Sequence, residues 1–110
     1  MPLSKRARIE AYIPERGDNA YGRLHRAIEQ EFLHTFGGCT VIKNNKGLYL
    51  GSDGVLDFDR VNVIYADTPF DFDKHFDDIS EYADRLRQAA LEASKEESIL
   101  IVVHGIYHSI

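Results

Sequence analysis

Arg60-Val61-Asn62-Val63-Ile64-Tyr65-Ala66 is the stretch on which the fold turns. Val61, Val63 and Tyr65 fall on one parity and Arg60 and Asn62 on the other, the period of a half-buried β-strand. It completes a longer strand predicted over Val55 to Ala66. Ahead of it, Cys39 to Lys43 reads as a strand and Asn44-Asn45-Lys46-Gly47 as a tight turn. Leu48 to Leu50 reads as a short strand and Gly51-Ser52-Asp53-Gly54 as a second turn. The centre of the chain is therefore an extended β-hairpin region.

Outward from this centre the pattern is simpler. Ile9, Ala11 and Ile13 alternate with Arg8, Glu10 and Tyr12, making a strand that Pro14 ends because it has no amide hydrogen. Residues 1–7 read as a flexible tail, and the cluster Lys5, Arg6 and Arg8 as solvated charge. Asp18 or Asn19 can cap a helix whose stripe is Tyr21, Leu24, Ile28 and Phe32, and Gly37-Gly38 stops it. Thr68-Pro69 breaks the chain before a second helix, with Asp71 or Asp73 as its cap. Phe72, Phe76, Ile79, Ala83, Leu86, Ala90 and Ala93 recur there at helical spacing. Ile99 to Ile106 is apolar on both parities, as a strand covered on both faces would be.

Strand, helix, hairpin region, helix, strand, with right-handed crossovers, gives an α+β domain of the ferredoxin-like split βαβ kind. Two helices lie on one face of an antiparallel sheet in spatial order 4-1-3-2. Residues 1–110 make one domain, since 110 residues with 44% hydrophobic content can bury a core unaided. A formal charge of −5 argues against a general nucleic-acid binder. The apolar run Ile99 to Val103 is too short for a membrane span, and Met1 to Glu10 lacks the apolar core of a signal peptide. A single cysteine, Cys39, forms no internal disulfide, so the expected location is cytoplasmic.

If Ile9, Ala11, Ile13, Val61, Val63 and Tyr65 face the helices, then Glu10, Tyr12, Arg60, Asn62 and Ile64 point to the uncovered face. His104 of the last strand can join them. Glu10, Tyr12, Arg60, Asn62 and His104 are thus the candidate ligand-binding residues. A carboxylate and an imidazole make an acid–base pair, with Tyr and Asn as hydrogen-bond donors. Equally, Glu10 and Arg60 can be a cross-strand ion pair with no further role. His104 and His108, four apart on a strand, stand too far apart to share a metal. Asp57, Asp59, Asp67, Asp71 and Asp73 match no calcium loop, so no metal and no cofactor is expected. Cys39 follows a helix C-terminus, where the dipole disfavours a thiolate, and reads as a core residue.

Gly38-Cys39-Thr40-Val41, Gly47-Leu48-Tyr49, Asp53-Gly54 and Asp59-Arg60 together resemble a family of small uncharacterised bacterial proteins. That family carries a Gly-x-Thr-Val segment, a Gly-x-Trp turn and an acidic residue beginning a strand. Tyr49 stands where the family has tryptophan and Asp59 where it has glutamate. The resemblance implies the same fold and transfers no catalytic role. A large apolar patch on the uncovered face points to a homodimeric binding or interaction module, with room for a small-molecule ligand. The alternative is a small enzyme, cofactor-free or metal-dependent, using that face.

Overall fold

The computed structural model describes residues 4–94, 96 and 98–108, and at 4 and 108 the backbone alone. The elements are β1 (Ser4–Pro14), α1 (Asn19–Phe36), β2 (Thr40–Leu50), β3 (Leu56–Asp71), α2 (Phe76–Glu92) and β4 (Leu100–His108). The sheet order is β2-β3-β1-β4 with every neighbouring pair antiparallel, the split βαβ order that the sequence predicts. α1 lies against β3 and α2 against β4. Leu24, Ile28 and Phe32 of α1 share one buried cluster with Ile79 and Ala90 of α2 and Ile9, Ala11 and Ile13 of β1. Both helices therefore cover the same face. Among the described residues no helix is long and apolar enough to cross a membrane.

Helix α1 begins and ends for local reasons. The Asp18 carboxylate accepts the Ala20 backbone N–H at 2.8 Å, meeting one of the free amides of the first turn. Gly37 takes φ 83°, a left-handed cap that a Cβ would resist.

Several boundaries differ from the sequence reading, each for a physical reason. β1 begins at Ser4, so residues 4–7 belong to the sheet and not to a tail, and Ala7 is buried. Asn44 to Gly47 is not a turn. β2 runs on through it, advancing three residues from Ile42 to Asn45 while β3 retreats two from Val63 to Val61. This is a β-bulge, and Asn44 absorbs it at φ 62°, a conformation that asparagine tolerates. β3 continues through Thr68-Pro69 to Asp71, because β2 pairs with it only as far as Tyr65. Beyond that point β3 has a free edge, where a proline without an N–H costs no ladder bond. α2 accordingly starts late, at Phe76. The Asp71 carboxylate accepts from the Asp73 and Lys74 backbone amides, each at 3.0 Å, and so caps the turn before the helix. Those amides, Lys74 foremost, hold its carboxyl below the usual range.

The register of β1 against β3 sets which side chains share a face. Ile9 is opposite Ala66, Ala11 opposite Ile64 and Ile13 opposite Asn62. Asn62, Ile64 and Ala66 consequently face the helices, and Val61, Val63 and Tyr65 face away, the reverse of the predicted parity. The segment is apolar on both parities past Asn62, so the period alone does not choose. The polar residue that seemed to mark the wet side is 2% exposed in the core.

β2 and β3 extend together beyond the helices as a two-stranded arm, turning at residues 51–55. The arm lengthens the molecule to 48 × 29 × 24 Å and raises its radius of gyration to 15.2 Å. A compact chain of this length has about 13 Å. Tyr49 folds over Gly47, where an added Cβ would fall 2.6 Å from the phenol oxygen. Lys46 caps the Phe58 ring at 5.1 Å.

Candidate functional site

The uncovered face carries a polar centre within an apolar field. Glu10 on β1 is opposite Tyr65 of β3 on one side and Val102 of β4 on the other. The Tyr12 hydroxyl donates to Glu10 Oε1 at 3.1 Å. His104 Nε2 lies 3.3 Å from Glu10 Oε2, in reach for an ion pair when protonated. This nitrogen is closed off from solvent and makes no hydrogen bond. Partial burial, reinforced by the hydrogen bond to Glu10, pushes the Tyr12 phenol up.

A second pair borders this centre. Arg8 Nε donates to Asp67 Oδ1 at 2.6 Å and Nη2 to Oδ2 at 3.0 Å, a two-bond fork that fixes both groups. The guanidinium stacks on the Tyr65 ring at 4.3 Å. The basic cluster expected in a tail is thus built into the sheet, with Lys5 reaching Asp73 at 3.3 Å and the Phe72 ring at 5.0 Å. Around these groups the same face presents Val61, Val63, Leu100, Val102 and Ile106, with Leu100 58% exposed.

Of the five candidates, Glu10, Tyr12 and His104 come together and Arg60 and Asn62 do not. The reversed parity of β3 carries Arg60 and Asn62 to the helix side of the sheet, so Glu10 and Arg60 form no cross-strand pair. Glu10, Tyr12 and His104 lie on an open sheet surface. A hollow of about 510 Å³ occurs elsewhere, between the helices, lined by Leu24, Ile28, Leu86 and Ala90. The acids weighed for a cation are otherwise engaged, Asp67 by Arg8 and Asp59 by Arg16 at 2.8 Å. Among the described residues no group of three or more His, Cys, Asp or Glu is placed to hold a metal ion. The His108 side chain lies outside the described residues. Cys39 is half-buried, and burial pushes its thiol up, away from a reactive thiolate.

Asn62 instead organises a cluster at the root of the arm that sequence reasoning missed. Its Oδ1 accepts the Asn44 backbone N–H at 2.9 Å, the amide that the bulge takes out of the ladder. Its Nδ2 donates to Glu15 Oε2 at 2.7 Å and lies 3.4 Å from His25 Nε2. A buried amide is thereby satisfied at both ends. Burial lowers the His25 pKa, with Lys43 acting the same way and Glu15 and Glu29 opposing. Neutral His25 therefore contributes stability that is whole above the ordinary histidine range and declines as pH falls below it. Nearby, Arg16 joins Glu96 at 2.8 Å, and Tyr21 donates to the same carboxylate at 2.9 Å.

Neither family models nor curated sequences match this chain. Solved structures do. CutA1 from Oryza sativa superposes with a TM-score of 0.55 at 13% identity, covering 98% of this chain and 85% of that one. The divalent ion tolerance protein CutA1 from Ehrlichia chaffeensis gives 0.53 at 10% identity, with 100% and 88% covered. CPII from Thiomonas intermedia K12, solved with ADP, AMP and acetate, gives 0.50 at 18% identity, with 100% and 94% covered. At these identities the likeness establishes the α+β split βαβ fold and nothing about ligands.

Proposed function

We propose that this chain is a small cytosolic binding module that works as a homodimer, its open sheet face and its arm covered by a second copy. The arm carries the reading. Leu48 and Phe58, and Leu50 and Leu56, stand opposite one another on a single side of the ribbon. Phe58 is 59% and Leu50 74% exposed, and no helix of the same chain reaches them. A two-stranded ribbon bearing bare Leu and Phe is marginally stable in water, so its order calls for a surface to lie on. That side of the ribbon continues the helix-facing side of β3, and on the other side of the sheet the open face presents Leu100, Val102 and Ile106 around the Glu10–His104 pair, an apolar field with a polar centre such as interfaces have. In that setting Glu10, Tyr12 and His104 make a shared polar spot for a small ligand. Light scattering at micromolar concentration is expected to give twice the chain mass. A single chain mass that persists on concentration would overturn the reading.

A further inference from the structure

The cluster beneath the arm has a logic that packing alone does not require. The orientation of the Asn62 amide is fixed from both sides. Its oxygen must face the Asn44 N–H, which can only donate, and its nitrogen must face the Glu15 carboxylate, which accepts. The remaining Nδ2 hydrogen is then directed toward His25 Nε2 at 3.4 Å. Only an imidazole unprotonated at that nitrogen can receive it, so the arrangement selects the neutral ring with its proton on Nδ1.

Protonation of His25 places a second donor against the Asn62 nitrogen, and neither way out preserves the cluster. Turning the amide over gives the imidazolium an acceptor but sets Asn62 oxygen against the Glu15 carboxylate and its nitrogen against the Asn44 N–H. Drawing Glu15 onto the imidazolium removes the partner of Nδ2 instead. The first breaks the bond that holds Asn44 at φ 62° in the bulge, and the second leaves the amide that makes that bond anchored from one side only. A bulge sets the bend and twist of the strand that bears it, and here that strand is the root of the arm. The charged groups acting on the ring are Glu15 from the loop after β1, Glu29 one turn along α1 and Lys43 from β2. Asn62 faces it from β3.

We infer that His25, Asn62, Glu15 and the Asn44 amide form a pH-sensitive latch that fixes the arm when His25 is neutral and frees it when His25 is protonated. The latch stands on its own geometry. Its consequence for assembly, a weaker grip at mildly acidic pH, rests on the homodimer reading above.

The test is ¹⁵N relaxation of the arm amides, residues 46–57, at about pH 8 and about pH 5, the range over which histidine changes charge. Wild type is expected to show a rigid arm at the upper value and loss of order at the lower. The loss should follow the same midpoint as the His25 ring-proton shift in one titration. His25→Gln offers an uncharged acceptor and is expected to keep the arm rigid at both values. His25→Lys, permanently charged, should leave it loose at both. An arm equally ordered across the range in wild type, or loosening unchanged in His25→Gln, would overturn the latch. The mass is followed separately by light scattering. Arm loosening with no change in a single-chain mass leaves the latch standing and sinks only the homodimer reading.

Discussion

Truncating Ile64 to alanine is expected to remove about 3 kcal/mol of unfolding free energy, while the same change at Val61 removes less than about 1.5 kcal/mol. Ile64 is 0% exposed and belongs to the cluster formed with Ile9, Leu24, Ile28 and Phe32. Its cross-strand neighbour Ala11 is itself small and cannot swing in to fill the gap, so most of the cavity persists. Val61, three residues earlier and of opposite parity, faces the open side half-buried. Urea denaturation of the two variants, with the slope of the transition held as a check on compactness, measures the difference. Equal losses, or a larger one at Val61, would mean that β3 is turned over and would return Asn62 to the open face.

The second large effect concerns assembly and leaves the fold alone. Leu100 lies on the open face opposite Tyr12, whose hydroxyl is already bonded to the Glu10 carboxylate. Leu100→Asp adds a second negative charge to that neighbourhood. In the separate chain the new group is largely hydrated, since Leu100 is mostly exposed there, and the thermal midpoint should scarcely move. Against a second copy it would be buried without a cation, which costs several kcal/mol. At about 1.4 kcal/mol per tenfold, association should weaken by about three orders of magnitude. Sedimentation equilibrium reads this directly. Ala89→Asp, on the far side in the hollow between the helices, serves as the comparison and should associate as wild type does. Identical association by Leu100→Asp and wild type would remove the open face from the interface.

The fold was largely legible in the sequence because its signals are redundant. Helix α1 is announced by a stripe at Tyr21, Leu24, Ile28 and Phe32, a cap at Asp18 or Asn19 and a stop at Gly37-Gly38, three signals that agree. The strand order followed from chain topology, which depends on the number and sequence of elements and not on their edges. The candidate site was half legible. Glu10 and Tyr12 lie on a strand whose parity is unambiguous, while His104 lies on a strand apolar on both parities, whose face only its register against β1 decides. Arg60 and Asn62 were misplaced by one residue of parity, and in a strand one residue is a whole face. The segment offers Val61, Val63 and Tyr65 to one side and Ile64 and Ala66 to the other, leaving Asn62 to decide. A polar residue ordinarily marks the wet side. Here it is buried because three groups distant in sequence, Asn44, Glu15 and His25, come together to satisfy it. No local pattern encodes that meeting. The bulge escaped notice for a related reason: Asn44-Asn45 is turn chemistry, and a left-handed asparagine serves a bulge as readily as a turn.

In the working protein the methyl-bearing side of the sheet opposite the helices is expected to be covered from water by a second copy. A soluble paramagnetic relaxation agent, read out on methyl resonances at micromolar and then at much higher protein concentration, reports this residue by residue. Val61, Leu100, Val102 and Ile106 are expected to become shielded as concentration rises, while Leu86 beside the helix hollow stays as accessible as before. Relaxation of the open-face methyls that is strong and independent of concentration would contradict the account.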